Sequence, residues 1–392
     1  MTDLFNPTPE HRALREMVRA FAEREIDPQA EASDQAERFN IELFHRLGEL
    51  GLLGVTVDER FGGSGLDPVA AVIVHEEIAA ADPGFALAYL AHSMLFANNL
   101  QVNGSDAQRA KYLPDACTGA KVCGMGMSEP GAGTDVLGLQ SAAVKRGDKY
   151  VLNGAKMWIT NGAISETELG DTFLIYARLE GQGRSQLCMF IVEKGFPGFK
   201  LGQKIKGKLG MRASTTAELV FEDCEVPAEN LVGEEGTATL HMMRNLEIER
   251  VTLAAMSLGI ARRSVEVMNQ YATDRQSFGK SLRDFGQVQR HIAESYAEFM
   301  AGRTYTYHTA ATMSLETPGQ RLDTDGVKLF TSTMAKHVAD RAIQVLGGYG
   351  YVAEYAVERL WRDAKLLEIG GGTLEAHQKN MTRELSRTER IL

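Results

Sequence analysis

The chain has 392 residues, more than one ordinary hydrophobic core accommodates, so two or three packed units are expected. Its net charge is −10 and it has no basic run, which disfavours nucleic acid as a partner, because such binding rests on neutralising phosphates. No stretch approaches the ~18 apolar residues that span a membrane, and the first residues lack the basic and apolar parts of a secretion signal. The composition favours a globular cytoplasmic protein without a membrane partner.

The cysteine and histidine positions indicate no metal site. Cys117, Cys123, Cys188 and Cys224 lack the spacing of metal ligands, and the nine histidines contain no H-x-x-x-H pair. We therefore expect free, buried thiols and no bound metal.

The first 118 residues carry helical periodicity from residue 8 onward. Apolar residues recur at three- and four-residue steps: Leu14, Met17, Val18 and Phe21, and then Leu43, Leu47 and Leu50. The glycine-rich stretch 61–65 predicts a loop that interrupts the helices. The segment 67–103 is apolar almost throughout, which is typical of helices buried on several sides.

From about residue 122 the period changes to two. Residues 149–152 predict a strand followed by a turn at Asn153 and Gly154, which places Trp158 on the next strand. Further strands are predicted over 172–177, 186–192 and 217–221. The pattern indicates a compact, mainly antiparallel β unit.

Helical periodicity returns after residue 236. Long helices are predicted over 240–271, 282–313 and 322–346. The predicted fold class is α+β, mainly α. The predicted domains are an α-helical domain over 1–121, a β domain over 122–234 and an α-helical bundle over 235–392.

The run at 127–135 contains glycines and short hydroxyl side chains. Gly131 and Gly133 can take conformations that other residues avoid and let backbone N–H groups close on an anion or a ring oxygen. Ser128 and Thr134 add hydroxyl donors. Taken alone, such a run is more often a tight turn than a ligand site.

The run at 156–162 carries a planar aromatic face. Trp158 and Thr160 lie two residues apart on a predicted strand and project to the same side of it. A strand tryptophan is by itself more often a core residue. Together, the two runs predict a cradle in which a flavin ring stacks and is hydrogen-bonded at its edge.

Glu249 interrupts the apolar stripe of a predicted helix. It shares that face with Met242, Leu246, Leu253 and Met256. Desolvation there would raise its pKa and make the carboxylate a competent base near neutral pH. The alternative is that Glu249 pairs with a distant cation in the core. Glu247 and Arg250 offer a charge pair on the adjoining face.

Three consecutive glycines lie at 370–372, between one predicted helix and the next. Such a stretch lets the start of a helix approach a ligand with its free N–H groups. A simple interhelical turn is the alternative.

Seven stretches resemble the acyl-CoA dehydrogenase family in order and spacing, across nearly the whole chain. They are 128–135 (SEPGAGTD), 158–162 (WITNG), 209–212 (LGMR), 221–227 (FEDCEVP), 275–279 (RQSFG), 344–348 (QVLGG) and 362–365 (RDAK). The resemblance implies an N-terminal helical domain, a middle antiparallel β-barrel-like domain and a C-terminal four-helix bundle. It also implies a homotetramer, a dimer of dimers, with one FAD per subunit.

The resemblance implies three groups of FAD contacts. The isoalloxazine would be held by Met125, Met127, Ser128, Gly133, Thr134, Trp158 and Thr160. The FAD of a neighbouring subunit would be reached by Arg275, Ser277, Phe278, Gln344, Gly347 and Gly348. Thr373 and Glu375 would complete the site. One position departs from the family pattern: Gly286, beside Gln287, stands where a glutamine is usual, so that contact on the adenosine side is not carried over.

The resemblance also implies a reaction. A base removes the pro-R α-proton of an acyl-CoA thioester while the β-hydrogen leaves as hydride to flavin N5, and electron-transferring flavoprotein accepts the electrons. A backbone N–H beside the C-terminal glycines, at Gly372, would polarise the thioester carbonyl with a flavin ribityl hydroxyl. Most members carry the base at the position of Gly371. The isovaleryl-CoA and long-chain branches carry it at the position of Glu249, which we therefore predict to be the base.

The resemblance leaves the acyl group open. Residues 91–99 are similar to the isovaleryl branch and include Leu95, expected to line the acyl tail. Gly370 and Gly371 leave space for a 3-methyl substituent, and Leu367 replaces a tyrosine usual in isovaleryl enzymes, so isovaleryl-CoA and the longer citronellyl-CoA are both candidates. Alternatives are a dehydrogenase of straight medium or long chains and a flavin oxidase of the same fold. Substrate contacts were further expected from Thr134, Glu247 and Arg250.

Overall fold

The structure is a computed structural model that describes residues 3–181, 183, 186–317 and 319–387. The α-helices before the sheet are α1 (Pro9–Phe21), α2 (Asp27–Ala36), α3 (Ile41–Glu49), α4 (Pro68–Ala81), α5 (Pro83–Leu90), α6 (Asn99–Asn103) and α7 (Asp106–Thr118). The interruption predicted at 61–65 falls between α3 and α4. Every residue of α4 is buried, as its apolar sequence predicts.

The strands form one mainly antiparallel sheet and one small hairpin. They are β1 (Cys123–Gly126), β2 (Ala142–Arg146), β3 (Lys149–Thr160), β4 (Thr172–Leu179), β5 (Leu187–Glu193), β6 (Phe199–Lys204), β7 (Thr216–Pro227), β8 (Leu231–Val232), β9 (Gln276–Ser277) and β10 (Lys280–Ser281). The sheet order is β6-β7-β3-β2-β4-β5-β8, with β1 beside β4. The β1–β4 and β2–β4 pairs are parallel.

The turn predicted at Asn153 and Gly154 is wrong, because β3 continues through both residues. The register against β7 shifts between Leu152 and Gly154, which marks an irregularity rather than a reversal. A Cβ on Gly154 would lie 2.6 Å from Ser141 Oγ, and the glycine has φ 140°. Glycine is therefore needed for close approach of the backbone within the sheet.

The C-terminal helices are α8 (Ala238–Asp274), α9 (Gly286–Thr312), α10 (Arg321–Leu346), α11 (Val357–Leu367) and α12 (Leu374–Leu385). Helix α8 packs against α4 and α10, so one hydrophobic core joins the N-terminal and C-terminal helices. The predicted domain bounds fall between α7 and β1 and between β8 and α8, and they remain predictions. Across the described ranges, no helix is both long and apolar enough to cross a membrane.

Candidate active site

A buried ion pair connects the two glycine-containing runs. Lys156 Nζ lies 2.7 Å from Glu129 Oε1, and both side chains are buried. The Glu129 carboxylate also accepts the backbone N–H groups of residues 140–141, at 2.5 and 2.9 Å. Met157 N donates to Ser128 O at 2.9 Å, which adds a backbone link. This pair was not predicted, although the first run carries the acidic Glu129 and Asp135 and the second carries the single cation Lys156.

Replacing Lys156 by methionine is expected to destabilise the fold by about 1.5–3 kcal/mol, the loss associated with a hydrogen bond to a charged group. Glu129 would retain its two backbone donors but lose its cation. Urea unfolding measures the change. The Lys149→Met variant is the control, because its ion pair with Glu225 is partly exposed and its loss should cost no more than about 1 kcal/mol. Equal losses of stability in the two variants would contradict a stabilising role for the buried pair.

Trp158 lies in an unusual backbone conformation and faces solvent. Its φ is 67°, at an irregularity in β3 between Lys156 and Ile159, and its side chain is 62% exposed. Ile159 is buried and Thr160 half-buried, so Thr160 is partly accessible like Trp158; that the two side chains project to the same side stays a prediction, because the strand is irregular here. The alternative of a core tryptophan is wrong, because an indole at the core would be buried.

The glycines of the first run do not use the conformational freedom expected of them. Neither Gly131 nor Gly133 is left-handed, and a Cβ on either would meet nothing of the described chain within 4 Å. The protein itself therefore does not require glycine there. The open space beside this backbone, together with the exposed face of Trp158, fits a flat group such as the isoalloxazine ring.

Replacing Trp158 by alanine is expected to weaken FAD binding by about 1 kcal/mol, the contribution typical of an aromatic stacking pair. Stability of the FAD-free protein should change by no more than about 0.5 kcal/mol, because the side chain is exposed. Calorimetric titration with FAD and thermal unfolding measure the two effects. The Trp158→Phe variant keeps a ring and should retain most of the affinity. Equal losses in both variants would argue against stacking.

Glu249 lies on α8 and is buried, as its position on an apolar stripe predicts. Its Oε2 atom has no hydrogen-bond partner within the described part of the chain. Burial raises the pKa of Glu249 to about 7, against the opposing effect of the cationic Arg250 and Lys328. An unpartnered carboxylate that titrates near neutral pH is suited to general-base chemistry.

The glycine turn at 370–372 lies beside the Glu249 carboxylate. A Cβ on Gly371 would lie 3.3 Å from Glu249 Oε1 and 2.1 Å from Leu253 Cδ1, and Gly371 has φ +65°. Gly372 is also left-handed, with φ +100°. The structure thus places Glu249 beside Gly371, the position at which most members of the resembled family carry the base.

Glu247 and Arg250 turn toward α10 and the segment before it. The Glu247 carboxylate accepts backbone N–H groups of residues 319–320, at 3.2 and 3.3 Å. Arg250 Nε lies 3.3 Å from Asp325 Oδ1. These contacts support a role in local charge balance, and the expected contact with CoA remains a prediction.

Several other residues predicted to contact FAD or substrate are at least partly accessible. Thr373 caps α12, with Ala376 N donating to its Oγ1 at 3.3 Å, and Glu375 is exposed in the first turn. Leu95 is the partly buried member of the otherwise buried π-helical segment Ala91–Asn98, which the sequence analysis did not predict. Such segments are frequent at functional sites. Half-buried or exposed positions are also held by Met125, Met127, Ser128, Gly133 and Thr134.

The residues expected to reach a neighbouring subunit's FAD gather at one surface. A cavity of about 440 Å³ is lined by Arg275, Ser277 and Gly348, among others. Phe278, in the hairpin of β9 and β10, is 95% exposed. Exposed positions are also held by Gln344, Gly347 and Gly348. Gly286 begins α9, and a Cβ there would meet nothing of the described chain within 4 Å. Packing within the described residues therefore does not require glycine in place of the glutamine usual at this position.

In the described residues, no group of three or more His, Cys, Asp or Glu side chains is placed to hold a metal ion. All four cysteines are free and buried, as predicted.

Sequence models of a single family match most of the chain. They describe the N-terminal domain of acyl-CoA dehydrogenase over residues 8–120, its middle domain over 124–224 and its C-terminal domain over 239–386.

Individual relatives agree with these matches. A mitochondrial isovaleryl-CoA dehydrogenase of Oryza sativa subsp. japonica is 41% identical over 98% of this chain and 93% of its own length. A short-chain-specific acyl-CoA dehydrogenase of Clostridium acetobutylicum is 38% identical over 95% of this chain and 97% of its own length. The butyryl-CoA dehydrogenase structure from Megasphaera elsdenii superimposes with a TM-score of 0.92 at 34% identity, covering 99% of both chains.

These matches confirm the predicted fold class, the oxidoreductase class and FAD as cofactor. The chain belongs to the acyl-CoA dehydrogenase family of FAD-dependent enzymes.

Proposed function

We propose that this enzyme converts a 3-methyl-branched acyl-CoA thioester to its trans-2-enoyl-CoA, with Glu249 as the base that removes the α-proton. The observation that carries the proposal is the buried Glu249 carboxylate, with an unpartnered oxygen, directly beside Gly371. A side chain at Gly371 would enter this space, so the base on α8 and the glycine on the turn complement each other.

The surroundings of Glu249 are suited to accepting a proton. With a pKa of about 7, a large fraction of the group is ionised at neutral pH. Taking up the α-proton neutralises the buried carboxylate and so removes its desolvation cost. The apolar Leu253 side chain beside Gly371 helps to keep water from the base.

The glycine turn would orient the substrate. The backbone N–H groups of Gly371 and Gly372 would donate to the thioester carbonyl as negative charge develops there. Bound FAD, held by the Trp158 side of the sheet, supplies the acceptor for the hydride that leaves the β-carbon. Electron-transferring flavoprotein is the proposed acceptor in turn, as the family resemblance implies.

A branched acyl group is supported by the small residues beside the base. Gly370 and Gly371 have no side chains, and the atoms nearest to a Cβ on Gly370 would be those of Leu366, at 3.5 Å or more. Leu367 is buried at the end of α11, three residues before Gly370. A leucine there takes less volume than the tyrosine usual in isovaleryl enzymes, which favours a chain longer than isovaleryl.

Anaerobic titration with isovaleryl-, citronellyl- and octanoyl-CoA tests the proposal. The branched thioesters should bleach the flavin absorbance faster than octanoyl-CoA does. Fastest bleaching by octanoyl-CoA would favour a straight-chain dehydrogenase, and an unbleached flavin with all three would refute the reaction class. Reoxidation by O₂ as fast as by electron-transferring flavoprotein would identify an oxidase instead.

A further inference from the structure

A buried polar cluster lies behind the glycine turn. Lys328 Nζ on α10 donates to Leu367 O and, at 3.0 Å, to Gly372 O. His377 Nε2 on α12 lies 3.1 Å from the same Gly372 oxygen, and its Nδ1 lies 2.5 Å from Asp325 Oδ1. The side chains of Lys328, Asp325 and His377 are fully buried. The Gly372 carbonyl is therefore held from two helices.

We propose that Lys328 is a positioning residue for this reaction, which anchors the glycine turn through the Gly372 carbonyl and supplies a buried positive charge that favours the ionised form of Glu249. The inference rests on the proposed function, because it assigns Lys328 a role toward the proposed base. Lys328 would act through Gly372 and Glu249 without touching the substrate.

The anchor matters because the turn has little rigidity of its own. Gly371 and Gly372 are consecutive left-handed glycines, which have no side chains to restrict them. The Gly372 carbonyl belongs to the planar peptide unit shared with Thr373, so a hydrogen bond to it fixes that unit and restricts rotation about ψ of Gly372, the residue whose own N–H is proposed to donate to the thioester carbonyl. Displacing substrate-orienting groups by about 1 Å can lower a rate by about 100-fold.

Lys328 can donate a hydrogen bond to the Gly372 carbonyl whether its amine is charged or neutral. A lysine amine keeps N–H groups after it loses its charge. His377 faces two acceptors, Asp325 and the Gly372 carbonyl, so its ring can donate to both only when protonated. Burial opposes that form and lowers the pKa of His377, although Asp325 favours it.

The charge of Lys328 is the second part of its role. Burial lowers the pKa of Lys328 to about 7, and Glu249 opposes this shift. Glu249 therefore favours the charged form of Lys328, and Lys328 in turn favours the ionised form of Glu249. The ionisable groups that act on Lys328 from the elements around it, or touch its anchor, are Glu249, Arg250, Asp325, Glu368 and His377.

Two substitutions separate the anchor from the charge. Lys328→Met removes both, whereas Lys328→Gln removes the charge and keeps an amide donor. Both should raise the pH midpoint of flavin reduction, because loss of the cation raises the pKa of Glu249. Lys328→Met should also slow reduction by about 10- to 100-fold, because the turn is no longer held. Lys379→Met, at an exposed position on α12, is the control.

Binding at equilibrium gives a readout independent of turnover. Calorimetry with the holoenzyme should show that Lys328→Met binds a trans-2-enoyl-CoA about 10-fold (about 1.4 kcal/mol) more weakly, because the backbone donors to its thioester carbonyl are no longer held in place. Free CoA, which lacks the thioester carbonyl, should bind as it does to the wild type. Lys328→Gln should retain most of the enoyl-CoA affinity.

The outcomes distinguish this inference from the proposed function. Suppose that acyl-CoA bleaches the wild-type flavin but the Lys328 variants show the same pH midpoint of flavin reduction as the wild type. The inference then fails and the proposed function stands. Equal weakening of enoyl-CoA and free CoA would also overturn it, because that result indicates general distortion. If Lys328→Met does not fold, the pH midpoint of flavin reduction in Lys328→Gln decides whether the inference holds. A wild-type flavin that no acyl-CoA bleaches would refute the proposed function itself.

Discussion

Replacing Glu249 by glutamine is expected to leave an enzyme that binds acyl-CoA but does not reduce its flavin. Glutamine has nearly the same shape and cannot accept the α-proton. General-base catalysis contributes about 100- to 10,000-fold to a rate, so flavin reduction should fall by at least that order. Anaerobic stopped-flow measurement of flavin absorbance, with calorimetry for ligand binding, separates the chemical step from binding. The matched control is Glu266→Gln, an exposed position on the same helix.

The rate of the wild-type enzyme should depend on pH in a defined direction. The base acts only when ionised and its pKa is raised to about 7, so reduction at low substrate concentration should rise as pH increases through about 7. This dependence should disappear in Glu249→Gln. Flavin reduction at the wild-type rate in that variant would exclude Glu249 as the base.

Stability provides an independent check on the ionisation of Glu249. Its pKa is about 7 in the folded protein against 4.5 for an ordinary glutamate, so the folded state holds the proton more tightly. Ionisation of Glu249 therefore destabilises the fold as pH rises from about 4.5 to about 7. Glu249→Gln removes this penalty, and in urea unfolding the variant should gain stability relative to the wild type between pH 5 and pH 8.

Placing a glutamate at Gly371 is expected to damage the fold rather than to restore the usual family arrangement. A Cβ there would lie 2.1 Å from Leu253 Cδ1, and the backbone has φ +65°. Overpacking costs about 1–3 kcal/mol, and a left-handed non-glycine residue about 1–2 kcal/mol more. The free energy of unfolding should therefore fall by about 2–5 kcal/mol, and the Glu249→Ala/Gly371→Glu double variant should not regain flavin reduction.

The neighbouring glycine provides the matched comparison for stability. Gly370 is not left-handed, and a Cβ there would come no closer than 3.5 Å to Leu366. Gly370→Ala should therefore cost less than about 1 kcal/mol, whereas Gly371→Ala should cost more. Equal unfolding free energies for the two alanine variants would contradict the close contact described at Gly371. Recovery of activity in the double variant would show that Leu253 can move aside.

The larger features of the fold could be predicted because they depend on local periodicity. Helices predicted over 240–271 and 322–346 correspond to α8 and α10, and the apolar stripe on α8 correctly placed Glu249 among buried residues. The prediction of a turn at Asn153 and Gly154 was wrong because it, too, rested on a local pattern. An Asn-Gly pair favours a turn locally, whereas close approach to Ser141 in the sheet also requires a glycine, and the local pattern cannot distinguish the two.

The sequence by itself determined most of the long helices and strands, the two glycine-containing runs and the candidate base, since periodicity and motif spacing are properties of short stretches. Only the tertiary structure decided which residues meet. It placed Gly371 against Glu249, paired Glu129 with Lys156, and buried Lys328 and His377 behind the Gly372 carbonyl. These contacts join segments that are distant in the chain. Their geometry depends on how the helices and the sheet pack, which no local pattern specifies.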